Sequence, residues 1–130
     1  MRQPLYTARH AASGLQAKLS PLECWPNAYP GYEIVIDILE FTSVCPRTGL
    51  PDFGTISIRY MPRKWCVELK ALKLYIQGYR QVGIFQENAV NRILDDFAAA
   101  VKPIWVVVTG QFNARGGLQT TVEARSPRKR

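Results

Sequence analysis

The spacing of hydrophobic residues changes twice along this 130-residue chain, and these changes restrict the folds open to it. Apolar and polar side chains alternate over residues 32–41 and again over residues 55–60, a period typical of strands with one buried face. From Leu69 to about Arg80 the apolar residues recur every three or four positions, which predicts a helix. A second helix is predicted from about Glu87 to just before Pro103. The last two predicted strands are Ile104–Thr109 and Leu118–Ala124.

Two strands, two helices and two strands in this order predict an α+β fold. One four-stranded antiparallel sheet with both helices on one face buries all the apolar stripes. We assign residues 23–124 to this domain. Residues 1–22 show no sustained period and are predicted to be a flexible basic arm, and residues 125–130 a basic tail. The two edge strands of such a sheet carry unpaired backbone groups, which favour pairing with another copy.

The positive charge of the chain is concentrated at its ends. The chain has 17 Lys and Arg residues against 10 Asp and Glu residues, a net charge of +7. Seven of the basic residues lie in the predicted arm and tail, so residues 23–124 are balanced between the two signs. Basic tails are more often solvated than specific for nucleic acid, and we expect no direct nucleic acid binding.

The cysteine and histidine content excludes several classes of protein. Cys24, Cys45 and Cys66 do not form an even set for disulfides, and no two of them have the spacing of a zinc motif. The one histidine, His10, lies in the predicted arm, so no metal site is expected. The chain has no apolar run long enough to span a membrane and no secretory leader, so we expect reduced thiols and a cytoplasmic location.

A thiol and a carboxylic acid stand seven residues apart in a turn-rich segment. Cys45 and Asp52 are separated by Pro46, Gly49 and Pro51, which limit the conformations of the connecting loop. A cysteine thiolate can attack an electrophilic carbon while a nearby acid supplies the proton. The pair therefore indicates covalent catalysis assisted by an acid, although each residue alone is also common in turns and cores.

Several ordered motifs resemble one enzyme family. The segment Glu68–Tyr75 reads Glu-Leu-Lys-Ala-Leu-Lys-Leu-Tyr, and residues 45–53 read Cys-Pro-Arg-Thr-Gly-Leu-Pro-Asp-Phe. Both are similar to the signatures of the NADPH-dependent 7-cyano-7-deazaguanine reductases, the nitrile reductases of queuosine biosynthesis. Further likeness runs through residues 87–92 to 115–117, so the resemblance covers roughly residues 25–124.

The resemblance implies a fold and a mechanism. The family has the tunnelling fold, whose element order is the one predicted here, and its members assemble into rings. By this likeness Cys45 is the nucleophile, which forms a covalent thioimidate with the nitrile of 7-cyano-7-deazaguanine, and Asp52 is the proton donor. Two NADPH molecules supply the hydrides of each turnover, and no metal takes part.

The resemblance also implies binding residues. A glutamate at the start of the second helix holds the guanine-like edge of the substrate, and lysines on the first helix meet the cofactor phosphates. No Gly-rich loop follows a strand, so a Rossmann-type cofactor site is not expected. The implied substrate contacts are Val67, Glu68, Leu69, Gln86 and Glu87, and the implied cofactor contacts are Lys70, Lys73 and Arg115.

One position departs from the family pattern. Most members have His immediately before the anchoring Glu87, whereas this chain has Gln86. A glutamine can form hydrogen bonds but cannot exchange a proton near neutral pH. If the histidine assists proton transfer in the family, this chain relies on Asp52 or on water instead.

The likeness implies assembly with active sites at subunit boundaries, and we expect a homodecamer of two stacked pentameric rings. Three other readings remain open. An archaeal family uses the same Cys and Asp to form an amidine on tRNA without NADPH, but the Glu68–Tyr75 motif argues against it. A zinc cyclohydrolase of the same fold needs ligands that this chain lacks. A non-catalytic RNA-binding module leaves both motifs unexplained.

Overall fold

The computed structural model describes residues 7–128, so the first six residues of the predicted arm and the last two of the predicted tail lie outside it. Its elements in chain order are α1 (Ala8–Ala11), β1 (Cys24–Pro26), β2 (Ile34–Val44), β3 (Pro51–Met61), β4 (Trp65–Val67), α2 (Leu69–Gln77), a 3-10 helix (Gly78–Gln81), α3 (Gln86–Val101), β5 (Trp105–Phe112) and β6 (Thr121–Ser126).

The four long strands form one antiparallel sheet in the order β2–β3–β5–β6. β2 and β3 are joined by a short loop, while the chain between β3 and β5 contains both long helices. The predicted α+β fold is therefore confirmed. A second, two-stranded sheet of β1 and β4 was not predicted, because each strand is only three residues long and carries no recognisable period.

Both long helices pack on the same face of the sheet. Tyr60 of β3 meets Phe97 of α3 with ring centroids 4.8 Å apart, edge to face. Phe41 of β2 packs in the same manner against Phe112 of β5. Fully burying a side chain of this size contributes roughly 1.5–3 kcal/mol. The other fully buried large side chains are Tyr79, Ile56, Ile58, Ile84, Ile93, Leu94, Val90 and Val101.

An irregularity in β2 changes which of its side chains face the helices. Ile38 lies opposite Ile56, but Phe41 lies opposite Gly54, so three steps along β2 match two along β3. This extra residue is a β-bulge, which shifts the alternation of side chains by one position. Ile38 packs against the core, and after the bulge the fully buried residue is Phe41. Odd-numbered residues of β2 therefore face the helices beyond the bulge.

β2, β3 and β5 extend beyond at least one of their predicted ends, whereas β6 begins three residues later than predicted and α2 is shorter. β3 begins at Pro51, so Asp52 lies in a strand and not in the loop where we had placed it. The loop itself is restricted to residues 45–50. Pro51 is tolerated at the start of β3 because a proline cannot donate to a ladder but fits the first position. α2 ends at Gln77 and continues as the 3-10 helix, whereas the prediction carried it to about Arg80.

The described part of the predicted arm lies against the domain. The Arg92 guanidinium of α3 donates to the carbonyl of Gly14 at 2.6 Å and to that of Ala17. The Ser13 hydroxyl donates to the Gly83 carbonyl at 2.7 Å. These contacts join residues more than 65 positions apart, so no local pattern in residues 1–22 could indicate them. At the other end β6 continues to Ser126, past the predicted domain boundary at residue 124.

A buried hydrogen-bond chain connects the helices. The Tyr75 hydroxyl donates to the Asp96 carboxylate at 2.5 Å and lies 2.8 Å from the Tyr79 hydroxyl. Burial raises the pKa of both tyrosines, so both stay neutral. Arg92 pairs with the same Asp96 carboxylate at 3.3 Å. Tyr75, the last residue of the Glu68–Tyr75 motif, therefore has a structural role in the core. Within residues 7–128 no helix is long and apolar enough to cross a membrane.

Candidate active site

The Cys45 thiol lies at the end of β2, in a loop closed by its own backbone. The Cys45 N–H donates to the Leu50 carbonyl, and the Gly49 N–H donates to the Cys45 carbonyl, both at 2.9 Å. Gly49 has a φ of +72°, a conformation that favours glycine. After the bulge Phe41 and Ser43 are buried on the helix face of β2, and Cys45 is the next odd-numbered residue, directly after the strand ends. The bulge thus sets which face of β2 is buried just before the Cys45 loop, and bulges are frequent next to active sites.

The Cys45 thiol has a lowered pKa. Partial burial raises the pKa, but hydrogen bonds from the Thr48 side chain, the Thr48 backbone and the Arg47 backbone together outweigh it. Asp52 has a smaller electrostatic effect, which raises the pKa. In the β2–β3 ladder Asp52 lies opposite Ser43, the residue two positions before Cys45, so the two predicted catalytic groups lie at the same end of the sheet. Because a lower pKa increases the thiolate fraction at neutral pH, the loop favours the nucleophilic form.

Asp52 is among the few buried polar residues. Only 5% of it is exposed, and its Oδ1 accepts a hydrogen bond from Arg115 Nη1 at 2.6 Å. Asp52 lies on the same face of β3 as the core residue Ile56, which directs the carboxylate under the helices. Arg115 comes from the turn between β5 and β6 and is partly exposed. The predicted proton donor is therefore held by one of the predicted cofactor residues.

A second buried polar residue lies beside Asp52. Ser43 is fully buried and is the direct cross-strand neighbour of Asp52 in the β2–β3 ladder. Its hydroxyl has no hydrogen-bond partner among residues 7–128. We did not single out Ser43 from the sequence. Its position two residues before Cys45 was the available signal, since residues i and i+2 of a strand share a face.

Gln86 and Glu87 approach the same end of the sheet. The Val44 N–H donates to the Val82 carbonyl at 3.0 Å, and the Ile84 N–H donates to the Val44 carbonyl at 2.9 Å. These bonds attach the residue before Cys45 to the segment from which α3 begins. Glu87 is exposed in the first turn of α3, where the helix dipole favours a carboxylate. Gln86 is partly buried next to it.

The segment Val67–Lys70 lies at the opposite end of the sheet. Val67 ends β4, which follows Met61 at the far end of β3 from Asp52. Glu68 is the N-cap of α2, and its side chain accepts a hydrogen bond from the Ala71 N–H at 2.5 Å. Leu69 and Lys70 follow, both exposed. One chain therefore brings together only some of the predicted site residues: Cys45, Asp52, Gln86, Glu87 and Arg115 at one end, and Val67, Glu68, Leu69 and Lys70 at the other.

A groove runs along the free β2 edge of the sheet. It has a volume of about 380 Å³ and lies between β2 and α2. Lys73 and Arg80 line it together with apolar side chains such as Ile36 and Leu39. The groove has the mixed lining, apolar walls with a few charged groups, that suits a ligand. No group of three His, Cys, Asp or Glu residues that could hold a metal ion occurs in the described part of the chain.

Comparison with known proteins gives a consistent result. A family model described as "QueF-like protein" matches residues 51–130. A protein of Elusimicrobium minutum named NADPH-dependent 7-cyano-7-deazaguanine reductase is 53% identical over 125 residues, 95% of each chain. A protein of the same name from Chloroherpeton thalassium is 54% identical over 105 residues, which are 79% of this chain and 90% of that one. The crystal structure of an archaeosine synthase QueF-Like in the apo form superposes with a TM-score of 0.70 at 26% identity, and the match covers 75% of this chain and 96% of that one.

Proposed function

This chain belongs to the family of NADPH-dependent 7-cyano-7-deazaguanine reductases, and on that premise we propose that it reduces the nitrile of 7-cyano-7-deazaguanine to an aminomethyl group, a step of queuosine biosynthesis. The fold agrees with the premise, because the tunnelling fold expected from the sequence is that of the structural neighbour. The observation that carries the proposal is the placement of a thiol with a lowered pKa close to a buried carboxyl group.

Cys45 and Asp52 have separate roles in the first chemical step. The Cys45 thiolate forms a bond to the nitrile carbon, and Asp52 gives its proton to the nitrile nitrogen. The products are a thioimidate on Cys45 and a carboxylate on Asp52, so charge and protons balance. A nitrile accepts hydride poorly, whereas a protonated thioimidate resembles an iminium and accepts it more readily. Covalent catalysis thus divides one difficult step into two easier ones.

The later steps restore the thiolate. NADPH, when bound, supplies one hydride to the thioimidate carbon and a second NADPH supplies another to the imine that follows. Between the two, the carbon–sulfur bond breaks, and the electron pair returns to Cys45 as the imine forms. Together the two reductions consume two NADPH and two protons and yield the amine. Gln86 cannot shuttle these protons, so their transfer rests on Asp52 and water.

The cofactor residues fit a phosphate-bearing ligand. Lys73 and Arg80 place two positive charges on the wall of the groove between β2 and α2. Lys70 is exposed one turn earlier on the same helix, so it adds a third cation. Ammonium and guanidinium groups are suitable donors to phosphates. Arg115 is bound to Asp52 in the single chain, and it joins the cofactor site only if that pair opens.

Substrate binding is assigned to groups at α3 and at a neighbouring copy. The Glu87 carboxylate forms no ion pair or hydrogen bond among residues 7–128, so it is available for the ring N–H and amino groups of a guanine-like edge. Val67, Glu68 and Leu69 lie too far along the fold to reach Cys45 of their own chain. They complete the site if they come from a second copy.

The free strand edges support assembly into rings, and we propose two stacked pentameric rings. β2 and β6 are the outer strands of the sheet, and each has one unpaired side. Val35 and Leu39 of β2, and Phe53 of the neighbouring β3, are each more than half exposed in the single chain. Pairing of β6 of one copy with β2 of the next would remove both edges and cover these side chains. A cytoplasmic location is part of this proposal, supported by the free thiols of Cys24, Cys45 and Cys66.

The test is direct incubation with the substrate. With 7-cyano-7-deazaguanine and NADPH, loss of the cofactor absorbance should accompany formation of the amine. Without NADPH, intact mass spectrometry should show an adduct that Cys45→Ala abolishes and that Asp52→Asn slows by roughly 100-fold to 10,000-fold. Cys24→Ala, which removes another partly buried thiol, serves as the matched control and should retain the adduct.

Two outcomes would reject the proposal. An adduct that persists in Cys45→Ala would show that another residue is the nucleophile. Amidine formation on tRNA without NADPH consumption would favour the archaeosine-type reaction named for the structural neighbour.

A further inference from the structure

The Ser43 hydroxyl is an uncompensated polar group in the core of the protein. Ser43 is 0% exposed, and its oxygen has no hydrogen-bond partner among residues 7–128. Leaving a buried hydroxyl without a partner costs roughly 1–3 kcal/mol, so such groups are rare in native proteins and call for an explanation. An alanine at this position would avoid the cost. The Ser43 hydroxyl therefore does not stabilise the fold in the absence of substrate.

The position of Ser43 identifies the group that it can reach. Ser43 lies directly opposite Asp52, and directly opposed residues in a ladder have Cβ atoms about 4.5–5.5 Å apart. Cys45 is two residues further along the chain, just past the end of β2, about 6–7 Å away at the rise of an extended chain. Complete burial keeps Ser43 from touching a ligand itself. Asp52 is therefore its nearest functional neighbour.

The charge of the Asp52 side chain changes during the proposed reaction. In the resting chain Asp52 Oδ1 accepts from Arg115. When the nitrile nitrogen takes its proton, Asp52 becomes a carboxylate in a site that water scarcely reaches, because only 5% of the residue is exposed. A buried carboxylate needs several donors. The free Ser43 O–H is available on the neighbouring strand, and rotation about one side-chain bond redirects it.

We propose that Ser43 is a positioning residue for the proton donor: its hydroxyl donates a hydrogen bond to the Asp52 carboxylate as that carboxylate forms. No proton is transferred from Ser43, and the proton that leaves Asp52 goes to the nitrile nitrogen. Because the bond is made when the charge appears, it stabilises the transition state more than the ground state. This inference rests on the proposed function.

The test separates catalysis from stability with a set of substitutions. Ser43→Ala removes the hydroxyl, while Ser43→Thr and Ser43→Val share one shape and differ only in the hydroxyl. For each variant we would measure the single-turnover rate of Cys45 adduct formation without NADPH, the substrate Kd and the melting temperature. Ser57→Ala is the control, because Ser57 lies on the same ladder but faces the opposite side of the sheet.

We expect Ser43→Ala to melt at the native temperature or above it and to bind substrate normally. Its rate of adduct formation should fall roughly 10-fold to 100-fold, the size expected for a hydrogen bond to a charged group. Ser43→Thr should form the adduct faster than Ser43→Val, and Ser57→Ala should match the native chain.

Three results would overturn the inference. Native adduct kinetics in Ser43→Ala would show that the hydroxyl does not act on Asp52. A large fall in its melting temperature would show that the hydroxyl has a structural partner. Equal rates for the Thr and Val variants would attribute any effect to volume. Absence of an adduct in the native chain would instead reject the proposed function, and the inference with it.

Discussion

At the scale of single residues, the environment of the Cys45 thiol is set by a loop of six positions. The Thr48 hydroxyl both lowers the Cys45 pKa and accepts a hydrogen bond from the Leu50 N–H at 3.2 Å. It therefore stabilises the loop and the thiolate together. Burial acts in the opposite direction, and the balance depends on a few hydrogen bonds from Thr48 and Arg47. Loss of one of them should be visible in the pH dependence of the thiol.

Replacing Thr48 by Val should raise the Cys45 pKa, because valine keeps the shape and loses the hydrogen bond to sulfur. The thiolate is the reactive form, so its reaction with iodoacetamide increases as pH rises through the pKa. In the native chain this increase should be centred below the ordinary thiol value, and in Thr48→Val it should move to higher pH. Thr48→Ser, which keeps the hydroxyl, should react like the native chain. Coincident pH profiles for Val and Ser would contradict the role of this hydroxyl.

At the scale of elements, the bulge in β2 and the orientation of α2 decide which of their side chains are buried and which are exposed. The bulge places Phe41 and Ser43 on the helix side of the sheet, immediately before the Cys45 loop. α2 buries Leu72 and Ile76 and leaves its lysines on the outside, where they meet no acidic partner within residues 7–128. An element with an unpaired basic face beside a groove is suited to bind an anionic ligand.

The double substitution of Lys70 and Lys73 by Ala should weaken NADPH binding. Both lysines are exposed, so the fold should not change, and Lys73 lines the groove. The KM for NADPH should rise about 10-fold or more, and the preference for NADPH over NADH should shrink, because the additional phosphate loses its partners. Adduct formation without cofactor should stay at the native rate. Lys64→Ala, at an exposed position between β3 and β4, is the control and should keep the native KM. An unchanged KM for NADPH in the double variant would show that Lys70 and Lys73 do not contact the cofactor.

At the scale of the whole molecule, a single chain contains the parts of a site but does not bring all of them together. Asp52 lies at the start of β3, and Glu68 lies beyond the opposite end of that strand, after β4. Large apolar side chains also remain exposed along the β2 edge, which is unusual for a stable monomer. Both observations are explained if the functional unit is an assembly of several copies.

Leu39→Lys should break the assembly and the activity together. Leu39 is 73% exposed in the single chain, so the substitution should not unfold it, but a charge there would oppose pairing of the edges. Native mass spectrometry should show the native chain near ten times 14.7 kDa, about 147 kDa, and the variant as smaller species. Nitrile reduction should fall roughly 100-fold, as expected when reacting groups lose their alignment.

Tyr29→Lys, at an equally exposed position outside the sheet, is the control and should keep the native mass. Full activity in a monomeric Leu39→Lys would show that one chain holds a complete site.

The sequence by itself determined the order of the four long strands and the two long helices, and it placed a thiol and a carboxyl group around one short loop. Both depend on neighbours in the chain: a repeat of two or of 3.6 residues reveals which face is buried, and the spacing of Cys45 and Asp52 is local. The tunnelling fold and the reductase family were implied separately, by the resemblance of residues 45–53 and Glu68–Tyr75 to the signatures of that family. The predicted ends of the strands were less accurate, because the periodicity weakens where a strand joins a turn.

Only the tertiary structure decided what each site residue contacts. The bulge in β2, the pairing of Ser43 with Asp52 and the hydrogen bond from Arg115 to Asp52 join residues between nine and 63 positions apart. The register of a ladder is set by the packing of whole faces, and a slip of one residue reverses every side chain. No local pattern contains that information. The family and the candidate residues Cys45 and Asp52 were therefore predictable from short motifs, whereas the contacts around Asp52 were decided by how the strands align.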